Sequence, residues 1–446
     1  MPLSLSRRFT LGGIVFAATL PILFLHVDYQ PAVSLHAGGT SANVKLSDVM
    51  VLLTVLAAAA TAARRGLAPL RRGRPIWLTE GALLAWIVAA VFYPLASTRA
   101  YPWRTHIVTA GEFGEYMLLA PAAVLLLRRR ADAWLAGGVL VVWTIAATAV
   151  GIAQWAGWSG LHGWGAGHRQ PSFLGTHDFA SLSAMTLGAG IVALLWHVTE
   201  KPLRIGAWVA LVTGVVGFVL GGATAGIVGL VPAGIVAAAI AAKRGLVSRR
   251  ALVATGAATA IASLGVLALR AGDFNQFLRF VGAEHRQSST TANIQTYSQR
   301  TLLAYIGLRI WLHHPVIGVG WQGSSDPSSF ERELPAAHRR FPHVAQIAFP
   351  SAQHPYGVQI LYVQALADLG VIGFLLLVAV FAAGVAVALR RAVREPPDIA
   401  FAVTLAAFWI VLSLGLWSAE GLVAGIPLDA LTWLGFGLAA AHTAHA

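Results

Sequence analysis

The chain has 446 residues, 57% of them hydrophobic and only 11% charged, with a formal net charge of +13. Soluble globular domains carry roughly a quarter charged residues, so this composition excludes an ordinary soluble domain and makes lipid the solvent for most of the chain. Cysteine is absent, which excludes a disulfide framework, thiolate catalysis and cysteine-ligated metal.

The chain opens with Ser6-Arg7-Arg8 ahead of an apolar run to Leu25. No small-x-small cleavage pattern follows, so the run reads as an uncleaved first helix rather than a signal peptide. A membrane span takes about 20 apolar residues. Apolar runs of that kind fall near 9–25, 46–63, 77–97, 106–127, 133–156, 176–197, 205–221, 224–242, 251–269, 365–389, 399–418 and 421–441. The stretch 205–242 holds no charge. As one helix it would be about 57 Å long, roughly twice the hydrocarbon thickness. It is therefore two helices, with Gly221, Gly222 and Gly226 at the hairpin. The pattern predicts an all-α integral membrane protein of about twelve transmembrane helices.

The basic residues are 28 Arg and 3 Lys. With both termini cytoplasmic, the inner loops hold nineteen of them, from Arg7 to Arg394, and the short outer loops only Lys45, Arg99, Arg104 and Arg169. Positive-inside topology explains this asymmetry, and nucleic acid is not needed as a partner. The organisation predicted is helices 1–9 over residues 1–269, a large outer helical segment over 270–357, and helices 10–12 over 358–446. Within the outer segment Ile294–His313 reads as a helix stopped by Pro315. Residues 321–353 read as irregular, and a new helix is expected to open at Pro355.

The outer segment carries eight arginines, no lysine and six histidines. The guanidinium fork fits phosphate oxygens in a bidentate way, so an outward Arg set near a bilayer suits a phosphate-bearing lipid. The alternative is a solvated surface with rim ion pairs to Asp326, Glu331 and Glu333. If Pro355 opens a helix, His354 caps it, and the helix dipole with nearby arginines would keep the imidazole neutral, the form a general base needs. A plain capping role is the alternative. His313-His314 lacks a carboxylate at ligand spacing, and no metal or other cofactor is expected. Glu112, Glu115 and Asp178 stand towards the outer ends of their spans, and Asp429 lies in the last. Intramembrane carboxylates are functional candidates or bonds to neighbouring helices.

Two stretches carry a family resemblance. One runs from Arg300 through Pro315-Val316-Ile317-Gly318-Val319-Gly320 to His354, Gln359 and Asp368-Leu369-Gly370. The other is His168-Arg169-Gln170-Pro171-Ser172-Phe173-Leu174-Gly175-Thr176-His177-Asp178. In order and placement they resemble the O-antigen ligase and O-antigen polymerase superfamily over roughly residues 150–390. The resemblance implies a GT-C-like, inverting, metal-independent glycosyltransferase of the bacterial inner membrane with a periplasmic active site. Its partners would be a glycan linked to undecaprenyl pyrophosphate, the lipid A–core acceptor and membrane lipid. It implies His354 as base and Arg169 and Arg300 on the pyrophosphate, with Gln359, Asp178 and Glu115 in support. Relatives often carry Asn after the His, where Pro355 stands, and Glu where Asp368 stands. Many have Ser-Arg at the hairpin that here reads Gly221-Gly222-Ala223-Thr224-Ala225-Gly226, and Arg286 is the candidate substitute. An O-antigen polymerase or a protein O-oligosaccharyltransferase shares the donor. A lipid-linked glycan transporter is the reading from a different class.

Overall fold

The computed structural model describes residues 9–37, 40–96, 101–158, 168–198, 200–280, 296–342, 344–422 and 426–441. The first helix, α1 (Leu11–Leu23), leads into a two-stranded antiparallel hairpin, β1 (Ala32–Ala37) and β2 (Thr40–Lys45), with Ala32 opposite Lys45. That hairpin is absent from the all-helical expectation. Then come α2 (Leu46–Arg65), α3 (Arg74–Phe92), α4 (Trp103–Met117), α5 (Leu119–Leu126), α6 (Arg130–Trp155), α7 (Thr176–Leu195), α8 (Lys201–Gly221), α9 (Thr224–Lys243) and α10 (Arg249–Leu269). The segment after them holds α11 (Ala271–Phe280), α12 (Thr296–His313), α13 (Pro327–Phe330) and α14 (Leu334–Arg340). The chain closes with α15 (Leu361–Arg394), α16 (Pro397–Leu416) and α17 (Ile426–Ala440).

Among the described residues nine helices are long and apolar enough to cross a membrane, and α1 and the end of α17 add two shorter apolar helices. The fourth expected span is broken at Leu118 into α4 and α5. Pro121 explains the break: it has no N–H for the Met117 carbonyl, and its ring crowds the preceding turn. The uncharged stretch 205–242 does divide in two. Gly222, with φ of 62°, ends α8 in a left-handed conformation, and α9 starts at Thr224.

The bundle is organised around α7, which is buried on nearly every face. Small residues let its neighbours close in. A methyl group at Gly214 would meet the Leu187 backbone at 2.5 Å, and one at Gly190 the Leu211 backbone at 2.7 Å. Helix pairs in lipid gain from such close backbone approach. On the periphery α8 and α10 leave Trp208, Val212, Val253, Ile261 and Leu264 exposed, as helices in contact with lipid do.

The two halves of the quoted signature interlock. Val319 and Gly320 donate their N–H groups to the carbonyls of Ala367 and Asp368, each at 2.9 Å. On the return, Val371 donates to the Pro315 carbonyl at 2.9 Å. This splice is possible because α15 breaks at Gly370, where φ is 67°. The Asp368 carboxylate is fully buried and accepts from Ser324 N at 2.8 Å and Gln364 Nε2 at 3.0 Å. The Pro-x-x-Gly-x-Gly and Asp-Leu-Gly elements thus hold the segment after α10 against the bundle.

Candidate active site

A narrow cleft lies where α7 and α9 begin and α8 ends; its lining includes Arg169, His177, Arg270, Tyr297, Arg300 and the hairpin residues Gly222–Ala225. Each basic group is placed by a separate device. Arg169 sits on the loop before α7. Gln170 N donates to the Leu220 carbonyl at 2.7 Å, and Gln154 Oε1 accepts from Ser172 N at 2.8 Å. Both bonds pin that loop to the ends of α8 and α6. Arg270 follows the last turn of α10 and donates through Nη1 to the Gly222 carbonyl at 3.3 Å. It also pairs with Asp273 and lies 5.0 Å from the Tyr297 ring centroid. Tyr297 in turn shares a 2.6 Å hydrogen bond with Thr224 at the start of α9. Arg300, one turn further along α12, donates through Nε to Gln359 Oε1 at 3.4 Å.

Arg300 Nη2 also lies 3.3 Å from His177 Nε2. A guanidinium can only donate, so Nε2 is the acceptor and the ring proton of a neutral His177 sits on Nδ1. Nδ1 faces Glu420 Oε1 at 3.1 Å, and the same oxygen is 3.7 Å from Arg300 Nη2. Burial pushes the Glu420 carboxyl up to about 7, against the pull of Arg300 and Arg169. Burial, then the neighbouring Arg270 and Arg300, brings Arg169 down to about 10. Arg300 is lowered by burial as well, with Glu420 opposing. The cleft is therefore a cationic site from which water is partly excluded. Two carboxylates, Asp273 and Glu420, offset part of its charge, and the first residues of α9, Thr224 and Ala225, line it. Such a site takes a phosphate-bearing anion.

The sequence-derived candidates divide. Arg169 and Arg300 line the same cleft, and Gln359 touches Arg300. Asp178 follows His177 at the start of α7, in the field of Glu420. Glu115 lies apart, in a carboxylate group with Asp48 and Glu112. Arg286 lies outside the described residues. Among the described residues, Arg270 donates to the hairpin carbonyl of Gly222.

His354 needs a correction. Helix α15 opens at Leu361, not at Pro355, so His354 caps no helix. Its backbone is used in a tight turn, with Ser351 N to His354 O at 3.0 Å and His354 N to Ser351 O at 3.1 Å. The imidazole is exposed, and its ring neighbour is Tyr356. The dipole argument for this residue therefore fails. Five residues of chain tether it to Gln359, a reach of at most about 18 Å.

Sequence reasoning passed over Glu420 and the role of His177. The available signal was an isolated carboxylate just past an apolar span, and a second imidazole inside the Arg169 motif. Residues 209–378, from α8 to the middle of α15, match the family described as O-antigen ligase. No curated protein matches the chain.

Proposed function

From the match of residues 209–378 to the family described as O-antigen ligase, we propose that this chain moves a glycan from undecaprenyl pyrophosphate to a hydroxyl of the lipid A–core. The reaction takes place on the periplasmic side of the bacterial inner membrane. The observation that carries this reading is the convergence of Arg169, Arg270 and Arg300, with the N-terminus of α9, on one cleft. The guanidinium groups hold the diphosphate and neutralise the charge that develops as it leaves.

The acceptor oxygen attacks the anomeric carbon from the face opposite the phosphate, which inverts the centre. The carbon–oxygen bond to the diphosphate breaks, and its electron pair departs with the lipid diphosphate. The hydroxyl proton passes to His354, whose exposed position beyond Gln359 suits a group that must meet a bulky second substrate. General-base help of this kind is worth ~10²–10⁴-fold.

The test is purified protein with donor and acceptor in detergent. Joined product is expected with no ion gradient, and Arg300→Ala, Arg169→Ala and Arg270→Ala should each cut its rate. Protein that joins nothing but carries donor across a vesicle membrane would be a transporter. Cells lacking the gene separate the near alternatives. Lipid-linked polymer retained without capped lipopolysaccharide marks the ligase, and loss of the polymer itself marks a polymerase. Retention of both, with unglycosylated protein, marks a protein O-oligosaccharyltransferase.

A further inference from the structure

At the opposite end of α9 the chain builds a second cationic site. Lys243 is nineteen residues beyond Thr224, about 28 Å along the helix, so this site and the arginine cleft lie at opposite ends of the bundle. An open groove of about 500 Å³ runs between α9 and α15. Its walls are Val236, Ala239 and Ile240 on one side and Leu389 and Val393 on the other, and its rim is Lys243, Arg390 and Arg394. The spacing follows from helix geometry: residues three or four apart share a face, as Val236, Ala239, Ile240 and Lys243 do on α9, and the pairs Leu389–Val393 and Arg390–Arg394 on α15.

The neighbouring basic groups are committed elsewhere. Arg244 donates to the carbonyls of Ala392, Val393 and Glu395 at 2.8–3.1 Å, closing the helix ends together. Arg391 is bound to Glu395 and to the carbonyls of Ala439 and Ala441. Arg72 pairs with Glu395, and Arg130 with Asp398. Among the described residues no carboxylate pairs with Lys243, Arg390 or Arg394. Positive-inside topology accounts for basic residues at this end, but not for the convergence of three uncompensated ones on one apolar groove.

We propose that the groove between α9 and α15 binds one anionic phospholipid, its acyl chains along Val236, Ile240, Leu389 and Val393 and its phosphate among Lys243, Arg390 and Arg394. Basic pockets between membrane helices recognise anionic headgroups in this way. The site is independent of the reaction at the arginine cleft.

Native mass spectrometry of the purified full chain tests the proposal, with phosphatidylglycerol, phosphatidylethanolamine or glycerol 3-phosphate added in turn. One phosphatidylglycerol should be retained, and neither of the other two. The triple variant K243Q/R390Q/R394Q should bind it about a hundredfold more weakly, at roughly fivefold per charge. The variant R249Q/R250Q, which removes two exposed charges at the start of α10, should bind it normally. Ala239→Trp, which fills the groove and keeps every charge, should also lose the lipid. Equal retention of phosphatidylethanolamine, binding of glycerol 3-phosphate alone, equal weakening in R249Q/R250Q, or unchanged binding in Ala239→Trp would each overturn the proposal.

Discussion

At the scale of single residues, the cleft depends on fork geometry and on one carboxyl group. Lysine keeps the charge of arginine but cannot bond two phosphate oxygens at fixed angles. Arg300→Lys should therefore slow transfer about 10–100-fold, the range of a lost charge-assisted hydrogen bond, and initial rates at limiting donor will show it. His354→Ala should slow transfer by about 10²–10⁴-fold while leaving donor affinity intact; near-normal formation of capped product by that variant would remove His354 from the mechanism. Glu420 faces His177 and Arg300, with Arg169, Asp178 and Asp429 also in its field. Its carboxyl titrates near 7 in the folded protein, above the ordinary value of 4.5. Between those values the native state holds a proton that the unfolded state has lost. Its contribution to stability thus declines as pH rises from about 4.5 to about 7, then levels off. Glu420→Gln should remove that slope, which melting temperatures of the two proteins across this pH range will reveal.

At the scale of elements, the splice between the segment after α10 and α15 rests on Gly370. A methyl group at Gly370 would lie 2.2 Å from the Val316 carbonyl oxygen, at a φ of 67° that L-residues adopt at a cost. The left-handed backbone alone costs roughly 1–2 kcal/mol, and the overlap adds to it. Gly370→Ala should lower the melting temperature and loosen the segment that bears Arg300 and Gln359. Gly256→Ala, in open space on α10, should be neutral or stabilising by about 0.5–1 kcal/mol. The signature residues were legible in the sequence as a resemblance, but their mutual pairing was not, because half a hundred residues separate the partners. The helix expected at Pro355 failed for a local reason. A proline suits a first helical position, yet the turn from Ser351 to Tyr356 occupies the same backbone groups.

At the scale of the whole molecule, the proposed topology puts the segment after α10 and the Arg249-Arg250 loop on opposite sides of the membrane. The natural absence of cysteine makes this directly measurable. An impermeant maleimide should label Ser328→Cys in spheroplasts and reach Arg250→Cys only after permeabilisation; labelling of both from outside would refute the orientation. Apolar runs were enough to determine a helical membrane bundle, because lipid demands long uncharged helices. Such runs are a property of local composition. The third guanidinium at Arg270, the Arg300–His177–Glu420 contact and the groove at Lys243 were decided only by tertiary packing. Each joins side chains far apart in the chain, brought together by glycine-mediated helix contacts and by the break in α15, which no reading along one helix can register.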